Sequence, residues 1–362
     1  MRRSSTPPGR EAHLDPPQRP TLELVAARAG VSKATASKVL NHREDVSAAT
    51  RAKVQEAMRS LHYVPSTGPR ARTDHATVTV VLDTLHSRYA SELLQGILTA
   101  GLALDTVVAV TCNPVQGTAS AAPMSESWLR AVAARGHSAI IVVSLVLSPQ
   151  QIRLCAKLGL ALVVVDPLGP LPETVTSVGA TNWTGGLQAT EHLLGLGHRR
   201  IACAGGSKSS APARERLYGF RSAMENAGVP VDPALVRDVG FTYESGLRMG
   251  MQLLALPDPP TAIFAGSDPS AMGVLEAARR ARLRVPEDLS VVGFDDTQIA
   301  AWSSPQLTTV RQPLAEMGWV ALRTALRLAS ERPLLEHPVQ LATTLVVRAS
   351  TASPALPVSG SG

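Results

Sequence analysis

From residue 77 onward the chain repeats one pattern, a short apolar, β-rich run followed by a stretch with helical periodicity. The apolar runs are 77–82, 106–111, 139–144, 160–165, 199–204, 261–265 and 290–294. The helical stretches between them are 88–101, 125–135, 149–158, 185–196, 213–227, 243–255 and 270–283. A strand that is apolar on both sides must be covered on both sides, and a helix between strands is the crossover that parallel pairing needs. The alternation therefore predicts an α/β body of parallel sheets covered by helices. About 275 residues of this pattern exceed what one core accommodates, so two lobes with two parallel sheets are expected over 77–350.

The preceding residues obey a different rule. Residues 1–20 contain five prolines among Arg, Ser and Gly, and residues 351–362 are similarly rich in Pro, Ser and Gly. Neither composition is expected to pack, so both are read as disordered tails. Between residues 21 and 64, Leu22, Val25, Ala26 and Ala29 recur at helical spacing, and Gly30-Val31-Ser32 then interrupts them. Ser32 is placed to cap a second helix that turns Ala36, Val39 and Leu40 inward. Ser47 is placed to cap a third that buries Val54, Ala57, Met58 and Leu61. Three short helices, the first two separated by three residues, fit a helix-turn-helix head. Residues 65–76 are a Pro/Gly/Arg-rich link.

Charge separates the head from the body. The first 75 residues hold 13 Lys+Arg against 7 Asp+Glu and so carry the whole net charge of +6, while the rest holds 22 of each. A basic head on a neutral body points to a polyanion as the head's partner. On the second helix, Lys33, Ala34, Ser37 and Lys38 share the face opposite Ala36 and Val39. A small, polar, basic helix face fits the major groove, where Lys can reach guanine and hydroxyls can reach phosphate.

The order of residues 21–41 (TLELVAARAGVSKATASKVLN), followed by Val46-Ser47, Thr50-Arg51 and Tyr63-Val64-Pro65, closely resembles the DNA-binding head of the LacI/GalR repressor family. That family's pattern is T-[LI]-x-D-V-A-x-x-A-G-V-S-x-x-T-V-S-x-V-L-N. The resemblance puts base-reading positions at Lys33, Ala34 and Lys38, and phosphate contacts at Ser32, Thr35, Ser37 and Asn41. Leu24 replaces the family's Asp, Ala36 a larger Val, and Lys38 an Arg; the last exchanges a bidentate fork for a point charge. In the link, Pro69 stands where an alanine is usual and Arg72 stands at the family's leucine wedge. Gly68 and Pro69 would cost a helix about 1 and about 3 kcal/mol. A weak or absent hinge helix without a leucine wedge is the expectation. Arg70 and Arg72 then either enter a narrow minor groove or touch only phosphate.

Catalytic sets are not evident. Gly205-Gly206-Ser207-Lys208 lacks phosphate-loop spacing, and no nucleophile elbow or zinc motif appears. His192 and His198 are poorly spaced for a metal, and His198 is expected to cap a helix C-terminus. Three scattered cysteines, Cys112, Cys155 and Cys203, read as packing thiols in a reducing compartment. The longest apolar runs, 139–143 and 158–165, are far short of a membrane span. The polar, Pro-rich sequence after Met1 is no secretion signal, so a cytoplasmic chain is expected, without metal or cofactor.

Several apolar runs end in acids, at Asp83, Asp166, Asp268 and Asp295. Ligands of parallel α/β sheets bind beyond the carboxyl ends of strands, where carboxylates can accept from sugar hydroxyls. Ser267-Asp268-Pro269 also reads as a helix start, with Asp268 as its cap. The family resemblance extends over residues 21–351, through Arg216-Leu217, Gly219-Phe220, residues 290–296 (SVVGFDD) and Arg348-Ala349-Ser350. It implies effector contacts from Arg216, Asp295 and the aromatic Phe241. With Tyr89, Asp166 and Ser267 these complete the candidate set. A planar donor fork, carboxylate acceptors and an aromatic face suit a neutral polyhydroxylated ligand.

The reading is a homodimeric DNA-binding repressor of the LacI/GalR kind, on double-stranded operator DNA. A small-molecule effector, expected to be a carbohydrate, would bind between two periplasmic-binding-protein-like lobes and release the operator. Corepression is the alternative mechanism, and a solute-binding protein or a sugar-modifying enzyme are the alternatives from other classes.

Overall fold

The computed structural model describes residues 21–40, 43, 46–61, 63, 76–112, 123–206, 210–238, 240–330 and 338–354. It divides into two units, with the boundary between Asp74 and His75. Among the described residues no helix is long and apolar enough to cross a membrane.

The first unit contains α1 (Leu22–Ala29), α2 (Lys33–Leu40) and α3 (Ala48–Ser60). Its starts and stops follow local chemistry. Thr21 accepts from the Leu24 N–H to begin α1, and Gly30, at φ 66°, ends it in the left-handed conformation that glycine adopts without strain. Ser32 and Ser47 cap α2 and α3, accepting from Thr35 and Thr50 at 3.1 and 3.2 Å. Val25, Ala26, Ala36, Val39, Val54 and Ala57 close a small core, with Met58 and Leu61 packed against it.

The second unit has two lobes. The first comprises β1 (Thr77–Leu82), α4 (Arg88–Ala103), β2 (Val107–Cys112), α5 (Glu126–Ala134), β3 (Ala139–Val143), α6 (Pro149–Lys157), β4 (Ala161–Val165) and β5 (Thr176–Ala180). The chain then enters the other lobe with α7 (Asn182–Gly195), β6 (Ile201–Ala204), α8 (Ala211–Asn226), β7 (Val236–Arg237) and α9 (Tyr243–Leu254). That lobe continues through β8 (Ala262–Ala265), α10 (Asp268–Arg280), β9 (Ser290–Asp295), α11 (Gln298–Trp302) and β10 (Thr308–Arg311). It returns to the first lobe for α12 (Leu314–Ala329) and β11 (Val339–Leu341), and ends in the second with β12 (Thr344–Val346). The sheet orders are β11-β5-β4-β3-β1-β2 and β12-β10-β9-β8-β6-β7. Every pairing is parallel except β10 with β12.

Each expected run is a strand and each expected helical stretch a helix, with ends shifted by a few residues. The pattern had not shown α11, α12, β5, β7, β10, β11 or β12. Of these α12 matters most, because Leu314, Met317, Ala321, Leu322 and Ala325 bury themselves in the core of the first lobe. Cys155 and Cys203 are buried in the lobe cores, and burial pushes their thiols up to about 11 and about 12. They are packing groups, as expected.

One local expectation is extended and one is corrected. His198 closes α7 with its backbone, its N–H donating to the Leu193 carbonyl (3.1 Å), but its ring does more than that: it is buried, paired with Thr261 Oγ1 (2.8 Å) and Ser290 Oγ (3.0 Å), and its Nε2 donates to the Ala352 carbonyl (2.9 Å). His192 likewise meets Thr351 Oγ1 at 2.9 Å. The start of the segment expected to be a free tail, Thr351–Ala352, is thus fastened to the second lobe, whereas residues 355–362 and 1–20 lie outside the described residues.

Three connections join the lobes, β5 to α7, β10 to α12 and β11 to β12. Two are laced together: Thr343 N–H donates to Thr181 Oγ1 (2.9 Å) and Thr181 N–H to the Leu341 carbonyl (2.9 Å).

Candidate functional site

On the head, α2 turns Ala36 and Val39 into the core and leaves Lys33, Ala34 and Lys38 exposed, with Thr35 and Ser37 half-buried. The face expected to meet DNA is therefore on the outside, held by the three-residue turn after α1. Ser32 is exposed, but its Oγ is engaged in capping and lies 2.8 Å from Thr35 Oγ1. Lys33 is ion-paired with Glu23 of α1. Asn41, Arg70 and Arg72, like the whole stretch 64–75, lie outside the described residues.

In the body, strand ends from both sheets converge on one cavity of about 190 Å3. It is lined by all six expected effector residues, Tyr89, Asp166, Arg216, Phe241, Ser267 and Asp295. Asp166 leaves β4 at φ 45° and Asp295 ends β9 at φ 111°. Left-handed backbone in a non-glycine residue costs roughly 1–3 kcal/mol and persists where the surroundings over-determine it, commonly at binding sites. Here it occurs at both strand-end carboxylates that line the cavity.

Arg216 is held from three sides. Its Nε donates to Asn182 Oδ1 (2.8 Å), one terminal nitrogen donates to the Gly266 carbonyl, and the same nitrogen lies 3.8 Å from Asp295 Oδ1. The guanidinium stacks over Phe294, 3.7 Å from its centroid, and lies 5.4 Å from the centroid of Phe241. Its place depends on two glycines where α7 and α8 cross. A side chain at Gly186 would collide with the Arg216 backbone, and one at Gly219 with the Trp183 carbonyl. No bulkier residue lets α8 come close enough to carry the arginine into the cleft.

The carboxylates are only partly compensated. Burial pushes Asp295 up to about 7, against the opposing pull of Arg216 and of Gln312, whose Nε2 donates to Asp295 Oδ1 at 2.6 Å. Burial also raises Asp166, although the Tyr89 hydroxyl donates to its Oδ2 at 2.5 Å. Burial and that same carboxylate lift the Tyr89 phenol well above its ordinary value, so it remains a donor. A site with buried, under-compensated acceptors gains from any ligand that brings neutral hydroxyl donors.

Ser267 lines the cavity as expected and also takes the capping role expected of Asp268. Ser267, not Asp268, caps α10, accepting from the Ser270 N–H (3.3 Å) while donating to the Phe241 carbonyl (3.1 Å). Its hydroxyl thereby fixes the aromatic at the cavity wall. Asp268 is fully buried and accepts from Thr297 N–H (2.7 Å), Thr297 Oγ1 (3.0 Å) and Thr309 Oγ1 (2.6 Å). It positions Thr297, which lines the cavity, and does not face it. Burial, then the neighbouring Asp295 charge, raises it well above the usual carboxylate range.

Sequence reasoning missed Arg88, Ser87, Ser144, Ser210 and Thr297 on the cavity wall. Ser144 directly follows β3, so the rule that marked the acids would have marked it too. Asp83, noted only as a strand-end acid, also lines the wall. Two arginines thus face three carboxylates there, a balance that leaves no cationic pocket for a multiply phosphorylated ligand.

Comparison with known proteins gives a consistent set of similarities. Residues 21–66 match the family described as bacterial regulatory proteins, lacI family, and residues 190–351 match the periplasmic binding protein-like domain. The HTH-type transcriptional regulator CelR of Thermobifida fusca is 36% identical over 341 residues, covering 92% of this chain and 98% of that protein. Among solved structures, a CelR–cellobiose complex superposes with a TM-score of 0.67 at 32% identity, covering 92% of this chain and 100% of the other. A lac repressor dimer bound to operator and an anti-inducer gives a TM-score of 0.67 at 28% identity, with the same coverages.

Proposed function

This chain belongs to the LacI family of bacterial regulatory proteins, and from that membership we propose that it is a transcriptional repressor released from its operator by a carbohydrate. The observation that carries the reading is the convergence of Asp166, Asp295, Arg216 and Phe241 on one interlobe cavity. Acceptors, a planar donor fork and an aromatic face are what a sugar ring offers partners for. The cavity, about 190 Å3, lies below the roughly 300–1,000 Å3 usual for drug-sized ligands, which favours a small saccharide. The role of the cleft in this reading is binding without turnover.

On the head, Lys33, Ala34 and Lys38 read base edges while Ser32, Thr35, Ser37 and Asn41 contact phosphate. Two copies bind successive half-sites of a pseudo-palindrome. The body offers a face for pairing them: β2 is an edge strand, and Leu98, Leu102, Leu104, Val107 and Val110 are exposed along it and the adjoining helix α4. An apolar sheet edge of this kind is a liability unless a partner covers it.

Coupling runs through the hinge. Gln312 lies on the connection from β10 to α12, so a ligand that draws on Asp295 also bears on a segment that crosses between lobes. The sugar shifts the equilibrium towards the closed body by its differential affinity for the two states, and no further.

The test is selection of duplexes from a random library by the full-length chain, then fluorescence anisotropy on the selected site during titration with a sugar panel that includes cellobiose and ribose. The expected result is a palindromic consensus and release by one sugar. Failure to select any sequence overturns the reading, and tighter DNA binding with sugar overturns release in favour of corepression.

A further inference from the structure

The head carries an acid where a DNA reader gains least from one. Glu23 lies in the first turn of α1 and Lys33 opens α2, yet the turn between the helices brings Lys33 Nζ and Glu23 Oε1 into an ion pair. Both side chains are about 60% exposed, at 62% for Lys33 and 60% for Glu23. An ion pair so exposed contributes about 0–1 kcal/mol to stability, so the fold does not depend on it. Leu24 occupies the position where the family pattern has Asp, and Glu23 is the acid of that first turn.

Two consequences follow for a helix presented to a major groove. A lone Lys is a flexible point charge and finds phosphate as readily as a base edge. Glu23 takes one of the three Nζ protons, orients the other two, and cancels the charge that phosphate would attract. The carboxylate keeps unused lone pairs beside the ammonium, and the groove donor that matches them is the N4 amino group of cytosine, as guanine O6 and N7 match Lys. The Lys33 contact also holds the Glu23 carboxyl below its ordinary value, which keeps it an acceptor.

We propose that Glu23 is a specificity-determining residue of the DNA interface. With Lys33 it forms a donor–acceptor pair that reads neighbouring guanine and cytosine edges, and it holds Lys33 away from the phosphates. This rests on the reading of the chain as an operator-binding repressor.

The experiment compares the full-length wild type with Glu23→Gln, in library selection and in binding to the selected site and a scrambled duplex across a salt series. For E23Q the expected results are tighter binding to the scrambled duplex and a log–log salt slope steeper by about 1.8, about 0.9 for the Lys33 of each copy, as it turns to phosphate. The preference for the selected site should fall about tenfold, and the consensus should lose a G·C pair in each half-site. The melting temperature should not change, since the pair is exposed. A wild-type consensus that E23Q reproduces, with the same slope, overturns the inference and leaves the repressor reading intact. A lower melting temperature with unchanged specificity overturns it too, making Glu23 a structural partner of the α1 terminus. Failure of the wild type itself to select a sequence overturns the underlying reading instead.

Discussion

Removal of the Arg216 side chain tests the cleft most severely. In Arg216→Ala the two hydrogen bonds, to Asn182 Oδ1 and the Gly266 carbonyl, are lost together with the 3.8 Å approach to Asp295 and the stack on Phe294. Hydrogen bonds involving a charged group are each worth about 1.5–3 kcal/mol, and breaking a buried ion pair by deleting one partner costs about 3–5 kcal/mol. These overlap and do not add. Asp295 also limits the loss, because burial already holds it up to about 7 and it can take a proton once the guanidinium has gone. A net destabilisation of about 3–5 kcal/mol is expected, which for a unit of this size lowers the melting temperature by roughly 6–20 °C. The assay is thermal unfolding of the full chain with and without the sugar that gives a hit, at pH 6 and pH 8. Wild type should gain about 2.7 kcal/mol at a sugar concentration 100 times its dissociation constant, and R216A should gain nothing measurable. Arg216→Lys, which keeps the charge but loses the fork, should fall between them. A melting temperature within 1 °C of wild type and an intact sugar shift would together refute the assignment of Arg216 as the organising cation.

Three further outcomes follow from the same structure. Asp295 is raised in the folded chain, so the stability it contributes is complete below the unfolded value near 3.9 and is lost as pH rises through about 7. Asp166 and Asp268 are shifted in the same direction, while burial lowers His137, His192 and His198 and so opposes them in this window; the Asp295 contribution is read as a difference, with wild type losing more stability than Asp295→Asn from pH 5 to pH 8. Sugar hydroxyls favour the ionised carboxylate, so affinity should rise over that window with proton release, measurable by calorimetry in buffers of different ionisation enthalpy; affinity falling with pH would contradict the model. Gly219→Ala forces α8 away from the Trp183 carbonyl and should cost about 1–3 kcal/mol in denaturant unfolding while weakening sugar binding, as Arg216 moves with its helix. Replacing Arg70 and Arg72 with Ala should make the salt slope of DNA binding shallower by about 0.9 for each arginine; an unchanged slope places both off the DNA.

Much of this was legible because its causes are local. The caps at Ser32 and Ser47 and the glycine turn at Gly30 are decided within three or four residues, and each is where the sequence puts it. Strand ends are equally local, which is why the acids that follow two apolar runs, Asp166 and Asp295, mark the site in the sequence alone. What escaped was decided at a distance. The 16 residues of α12 begin after Pro313 and, Gly318 apart, are mostly strong helix formers, so the helix is within reach of the sequence while its place in the first lobe is not. The helix is stable because its apolar side meets the first lobe and because Gly96 and Gly318 let α4 approach. The strands β11 and β12 span three residues each, too few to show a period, and exist because a sheet edge is there to receive them.

The amino-acid order alone determined the two-part design, a basic three-helix head before a neutral α/β body, and the residue types of the ligand site, because these depend on spacing along the chain. Which atoms those residues present was decided by the tertiary structure. Asp268 reads as a helix cap in sequence, but Thr297 and Thr309, 29 and 41 residues away, make it a buried anchor. His198 reads as a helix end and its backbone is one, but Ser290 and Ala352 make its ring a clasp. Lys33 reads as a base-reading lysine on an exposed face, and Glu23 across the turn gives it a partner that spacing along the chain does not announce. A side chain's type is inherited from the sequence, whereas its solvation and its partners, and with them its charge, are set only when distant segments close around it.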